Sequence, residues 1–291
     1  MEIKLAGNMG FCFGVKRAIG IARQIRKETE EKVWTLGHII HNPQVVKRLE
    51  KEGIMAADDL SEIDTGYVII RSHGVHPRIL QKIREKNLKV VDATCPLVKK
   101  AQEKAKQLVS EGYETFVIGE KEHPEVISIV GETDGRIRVI DSVKNLEIKN
   151  SKIGLVVQTT QSQEILQEVA AFILPKILEF KVFNTICDVT SKRQKEVKKL
   201  ARKSDIMIVV GGKKSANTSR LAAIAKAEGS LTYHIEEADE IKEEWFTDVE
   251  RVGVASGAST PDWIINEVVN KLKQIDKNEV NIDINKEEIT T

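Results

Sequence analysis

Cys12, Cys95 and Cys187 are the only cysteines of the 291-residue chain, and they stand at matched seams. Each follows a strand-like run and precedes a helical pattern that opens with paired bases: Lys16 and Arg17, Lys99 and Lys100, Lys192 and Arg193. The spacings are 83 and 92 residues, which rules out the close pairs of a zinc ribbon or a thioredoxin-type CxxC. A helix N-terminus favours the thiolate, the metal-binding form of cysteine. Three thiolates leave several readings open. Zinc accepts three cysteines and a fourth ligand. An iron–sulfur cluster usually takes four cysteines, so three would leave one iron without a protein thiolate. An open metal position of that kind suits catalysis. A third reading makes the cysteines inert packing in a non-catalytic module for phosphorylated metabolites.

A second group of residues could do chemistry. Polar loops follow the other strand-like runs: "HIIHN" with His38, His41 and Asn42, "SHGVH" with Ser72, His73 and His76, and "EHPE" with His123 and Glu125. Further on come "QTTQS" with Thr159 and Thr160, "GGKKSANTS" with Ser215, Asn217 and Thr218, and "SGAST" with Ser259. Hydroxyls, amides and imidazoles at helix starts suit an oxyanion, because hydrogen-bond donors converge there. The same residues also serve as ordinary N-caps. Lys213 and Lys214 read as solvated. Neither GxGxxG after the first strand nor GxxxxGK[ST] occurs, so a Rossmann cofactor and a P-loop nucleotide are disfavoured.

The elements that must position these groups alternate along the chain. Strands are expected near 2–6, 33–37, 67–71, 88–92, 114–118, 137–140, 153–158, 181–184, 205–210, 231–235 and 251–255. Helical patterns fill 14–29, 43–52, 76–86, 97–111, 124–131, 162–179, 190–202, 217–228 and 261–273. Such alternation predicts an α/β fold of parallel sheets with crossover helices. Runs such as "IMIVV" and "IGLVV" are apolar throughout, as strands covered on both faces are. Ligands of open α/β sheets bind beyond the carboxyl ends of the strands, where every polar loop and every cysteine falls. The repeated seam predicts three pseudo-equivalent α/β units: 1–95 with the Cys12 seam, 96–187, and 188–275, followed by a polar tail over 276–291.

Composition narrows the classes. Lys+Arg 45 against Asp+Glu 44 leaves a net charge of +1, and no basic, aromatic-rich strip suggests nucleic acid. No apolar run is long enough for a membrane span. The first residues lack the pattern of a secretory signal, so the expected location is the cytoplasm.

The segments "GFCFGVKRAI", "HNPQVV", "SHGV", "DATCPLV", "EHPE", "QTT", "SANTSRL" and "GAST" run in this order between about residues 3 and 272. Together they resemble those of the 4-hydroxy-3-methylbut-2-enyl diphosphate reductase family, the last enzymes of the methylerythritol phosphate route to isoprenoids. The resemblance implies a trefoil of three α/β units around one [4Fe-4S] cluster held by Cys12, Cys95 and Cys187, with one iron lacking a protein thiolate. It implies that His41, His73, Ser215, Asn217 and Ser259 surround the substrate diphosphate. It sets His123 near the substrate, Thr159 near its hydroxymethyl end, and Glu125 as proton source. Two electrons and protons would enter, water would leave, and isopentenyl and dimethylallyl diphosphates would result. With no flavin or nicotinamide site in the sequence, a ferredoxin or flavodoxin is the expected electron donor. Ala216 departs from the pattern, standing where many members carry a second serine. The competing enzyme class is a zinc-dependent hydrolase whose metal is held by the three cysteines.

Overall fold

The computed structural model describes residues 1–144, 146–275 and 282–284. The chain opens with β1 (Glu2–Leu5) and α1 (Phe13–Glu28). Next come β2 (Val33–Leu36), α2 (Pro43–Lys51), β3 (Ile54–Ala57), β4 (Tyr67–Ile70), α3 (Pro77–Glu85) and β5 (Lys89–Asp92). After α4 (Pro96–Ser110) follow β6 (Glu114–Ile118), α5 (Pro124–Gly131), β7 (Ile137–Ile140), β8 (Lys152–Val157), α6 (Gln163–Ile173) and β9 (Glu179–Phe183). The last third holds α7 (Asp188–Ala201), β10 (Ile206–Val210), α8 (Ala216–Ala227), β11 (Leu231–Ile235), β12 (Arg251–Ser256), α9 (Asp262–Ile275) and β13 (Ile282–Ile284).

Three sheets result, each parallel throughout, with strand orders β3-β2-β4-β5, β7-β6-β8-β9 and β11-β10-β12-β1-β13. The uniformly apolar strands are explained by layers on both faces. Phe116, Ile118, Leu155 and Val157 pack with Val169 and Ile173 of α6. The intervening Val117 and Val156 face Ala101 and Leu108 of α4 and Ile129 of α5. In the third sheet Ile208 and Val254 meet Ile264 and Val268 of α9, while Met207 and Val209 meet Leu221 and Ala225 of α8. Each buried side chain of valine size or larger contributes roughly 1.5–3 kcal/mol.

Packing groups these elements into two compact units. One comprises residues 14–40 and 46–187, and so contains the first two sheets. The other comprises 1–13, 41–45 and the chain from Asp188 onward. The first strand departs from the expected 1–95 grouping. β1 does not join the sheet of residues 33–92; it pairs with β12, Glu2 opposite Arg251 and Leu5 opposite Val254. A four-residue strand reveals its inward face but not its partner, and this partner lies at the far end of the chain. Two local differences have plain causes. The helix expected over 162–179 stops at Ile173 in a 3-10 turn containing Pro175, which cannot donate to the helical ladder. β3 is not among the expected strands because its sequence, Ile-Met-Ala-Ala, holds one β-branched residue and two alanines, which carry little strand preference. Of the expected 276–291 tail, 282–284 form the edge strand β13, and the remainder lies outside the described residues.

Candidate functional site

Each sheet is built outward from an inner strand, β2, β6 or β10: one crossover goes to one side, and the next returns to the other. The reversal falls between β2 and β4, between β6 and β8, and between β10 and β12. These are topological switch points, where open α/β sheets take ligands. One backbone frame recurs at all three. A glycine ends the first strand and donates to the neighbouring strand's last carbonyl: Gly37 to Ala57 O (2.7 Å), Gly119 to Ile140 O (2.8 Å), Gly211 to Ile235 O (2.8 Å). Four residues beyond each glycine stand His41, His123 and Ser215. The second residue after the strand across the switch point (the central strand: β4, β8 or β12) then accepts from a cysteine N–H: Ser72 O from Cys95 (2.9 Å), Thr159 O from Cys187 (2.9 Å), Ala258 O from Cys12 (3.1 Å). Each cysteine therefore closes its sheet. Cys12 belongs with β12, because β1 does.

In the unit of residues 14–40 and 46–187, the start of α5 carries His123 and Glu125. His123 is its N-cap, with Nδ1 accepting the Glu125 N–H at 3.2 Å, so a neutral ring holds its proton on Nε2. The Glu125 carboxylate is 1% exposed and accepts from Thr159 N at 2.7 Å and Thr159 Oγ1 at 2.8 Å. Burial pushes its pKa up to about 7; the Thr159 bonds pull the other way, and Glu120 adds a smaller upward push. A carboxyl poised there holds or releases a proton near neutrality. The His73 ring stands edge-on to that of His123, centroids 5.5 Å apart. Its loop is anchored to α5 by Ser128, whose Oγ lies 3.1 Å from His73 O and 2.7 Å from Glu125 O and accepts from Gln102 Nε2 at 3.0 Å. Gly74, at φ +77°, lets that loop turn against Ser128 and Gln102.

In the other unit, Ser215 caps α8 by accepting from Thr218 N. Asn217 is 5% exposed, yet neither amide atom has a hydrogen-bond partner among the described residues. The fully buried Thr218 Oγ1 is likewise unpartnered. Unpartnered polar groups at the N-terminus of a 12-residue helix suit an anionic ligand. Ser259 Oγ donates to His41 O at 3.3 Å, which joins the 257–260 loop to the 41–45 segment. Gly212 lies so close to His41 O that a Cβ there would sit 2.3 Å from it. Arg193 bridges Ser256 O (3.1 Å) and Gly10 O (2.6 Å), bracing the approach to Cys12. His234 Nε2 donates to Gly211 O at 2.9 Å; burial lowers the pKa of this ring, and the bond to the carbonyl opposes that shift.

The structure thus gathers His73, His123, Glu125 and Thr159 in one unit, with Cys95 and Cys187 tied to the same loops. It gathers His41, Ser215, Asn217 and Ser259 in the other, with Cys12. His76 only caps α3, accepting from Arg78 N at 3.2 Å. Lys213 pairs with Glu240, in keeping with the solvated role expected of it. Sequence reasoning missed Gln158, which is fully buried. Its Oε1 accepts from Glu120 N and its Nε2 donates to Thr160 Oγ1, both at 2.9 Å, joining the loops on either side of Glu125. Its position directly after the central strand was the available signal.

A profile of the LytB protein family matches residues 3–273. The chain belongs to the LytB family. Among LytB relatives, 4-hydroxy-3-methylbut-2-enyl diphosphate reductase of Geobacter sp. (strain M21) is 50% identical over 283 residues, covering 96% of this chain and all of the relative. The protein of the same name from Aquifex aeolicus (strain VF5) is 48% identical over 282 residues, 94% of this chain and 97% of its own. A solved structure of (E)-4-hydroxy-3-methyl-but-2-enyl diphosphate reductase, the terminal enzyme of the non-mevalonate pathway, is 47% identical, with a TM-score of 0.69. It spans 94% of this chain and 100% of its own. The Plasmodium falciparum E-1-hydroxy-2-methyl-but-2-enyl-4-diphosphate reductase superposes with a TM-score of 0.91 at 28% identity, over 99% of this chain and 93% of its own. No helix among the described residues is long and apolar enough to cross a membrane.

Proposed function

We propose that this LytB chain is a 4-hydroxy-3-methylbut-2-enyl diphosphate reductase, performing the last step of the methylerythritol phosphate route. The observation that carries the reading is the full-length match to reductases of that name. The overall change consumes two electrons and two protons, releases the hydroxyl as water, and leaves isopentenyl or dimethylallyl diphosphate. The competing zinc hydrolase finds no support in these relatives, which are reductases.

The donor chemistry fits one [4Fe-4S] cluster held by Cys12, Cys95 and Cys187. None of the three is disulfide-bonded, and α4 and α7 begin directly after Cys95 and Cys187. When bound, the cluster supplies reducing equivalents and a Lewis-acidic iron with no protein thiolate. The chain's own groups do the rest. Glu125 is the proton source: protonated, it donates to Thr159 Oγ1, 2.8 Å away, and that hydroxyl passes a proton toward the substrate's leaving oxygen. Asn217 and the capped start of α8, with His41, His73, Ser215 and Ser259, hold the diphosphate, and His123 faces the substrate. Ala216 offers its backbone N–H but not the hydroxyl of the serine that many family members carry there. A ferredoxin or flavodoxin delivers electrons in the cytoplasm.

Anaerobic purification with iron and sulfide analysis, Mössbauer spectra with and without substrate, and turnover with a chemical reductant test the reading. A colourless zinc protein, or an iron-loaded one that leaves the substrate unreduced, would refute it.

A further inference from the structure

The three switch points treat the residue after the central strand differently: Arg71 after β4, Gln158 after β8, Gly257 after β12. Arg71 and Gln158 each reach over the glycine that ends the neighbouring strand. A Cβ at Gly37 would lie 2.8 Å from Arg71 Nη1, and one at Gly119 would lie 2.7 Å from Gln158 Oε1. At Gly257 there is no side chain, and Thr218 fills the space instead. Gln158 is neutral and has protein partners at both ends of its amide. Arg71 is charged and half-buried, and its side chain makes no hydrogen bond or ion pair among the described residues. Its Nε is enclosed without a partner. Burial alone depresses its pKa; no carboxylate opposes the effect.

A guanidinium removed from water without a counter-charge is costly, and folds rarely retain one without use for it. Gly37 adopts φ +67°, so the backbone is shaped to let the guanidinium lie across the crevice between β2 and β4. That crevice is where this kind of sheet takes a ligand. The planar fork of arginine matches phosphoryl oxygens and keeps its charge at every physiological pH. His73 stands two residues further along the same loop.

We propose that Arg71 is an anion-binding residue whose guanidinium, laid across Gly37 at the β2/β4 switch point, takes a phosphoryl oxyanion. Two sources share that chemistry: the diphosphate end of the substrate, which rests on the function proposed above, and a free phosphate anion, which does not.

The test compares iron-loaded wild type with Arg71→Gln and Arg71→Lys by calorimetric titration with inorganic diphosphate, thermal melting, and steady-state turnover. Arg71→Gln should bind diphosphate at least about tenfold more weakly, the scale of one charge-assisted hydrogen bond, and Arg71→Lys should keep part of the affinity. Without anion, Arg71→Gln should melt at or above wild type, because it removes an unpaired charge. Its melting temperature should also rise less with diphosphate. KM rising in step with unchanged kcat identifies the substrate's own diphosphate. Weaker inorganic diphosphate binding with KM unmoved identifies a free anion. Wild-type affinity in Arg71→Gln, or a variant that melts well below wild type or fails to fold, would overturn the proposal and make Arg71 structural. A wild type without reductase turnover would remove the proposed function, yet leave the calorimetric comparison intact.

Discussion

At the end of β8, Gln158 satisfies both ends of its amide within the protein; at the matching end of β4, Arg71 has no side-chain partner among the described residues and its Nε is enclosed. The backbone around them is shared, down to the glycine opposite and the cysteine that closes each sheet. The β6/β8 switch point is therefore self-contained. Gln158 ties Glu120 N to Thr160 Oγ1, and Thr159 holds Glu125 from both carboxylate oxygens. Such a site keeps a proton on a defined atom. The β2/β4 switch point leaves the Arg71 guanidinium without a protein partner among the described residues, as a site for a charged ligand would. Repetition of a fold supplies equivalent positions; the side chain placed there decides whether the position serves internal order or recognition.

The largest test strikes the shared frame. If the seams are equivalent, Cys95→Ser and Cys187→Ser should behave alike, each losing most of its iron and all measurable turnover. Iron analysis after anaerobic reconstitution would show it, and a Cys95→Ser protein with full iron and activity would break the equivalence.

Next comes the proton. Glu125→Gln keeps the shape and one acceptor but removes the acid, so turnover should fall at least about a hundredfold with cluster content unchanged. In wild type, turnover limited by this proton should decline as pH rises through about 7, because the acid form is then lost. Near-normal turnover in Glu125→Gln would move the role to another group.

Stability carries the same signature with its own sign. The folded pKa of Glu125, about 7, exceeds its ordinary 4.5. Folding thus favours the protonated form, and this contribution, complete below about pH 4.5, fades as pH rises to 7. Over that window wild type should lose about 3 kcal/mol relative to Glu125→Gln, from about 1.36 kcal/mol per pKa unit. Denaturant midpoints of both proteins at several pH values would measure it, and parallel curves would deny the shift.

A smaller effect separates the two switch points directly. Gln158→Leu leaves Glu120 N and Thr160 Oγ1 without these bonds and should cost about 1–3 kcal/mol of stability. Arg71→Gln should cost nothing. Equal losses in the two variants would erase the contrast between a self-contained site and one left without a protein partner. The smallest effect is expected at Lys213→Ala, which removes an exposed pair with Glu240 and should change stability by less than about 1 kcal/mol.

Local pattern was enough to establish much of this protein. Runs such as "IMIVV" read as strands covered on both faces, helix starts followed from prolines and caps, and each cysteine could be placed at a strand end. These features depend on neighbours a few residues away. What only the tertiary structure decided is long-range. β1 and Cys12 belong to the last sheet, because parallel pairing joins segments some 250 residues apart and a four-residue strand carries no mark of its partner. The pKa of Glu125 near 7 comes from burial against a loop 34 residues away, which no motif encodes. Arg71 and Gln158 read in the sequence as two unremarkable polar residues after strands. Their opposite roles arise from whether the folded chain brings a donor and an acceptor within reach of each.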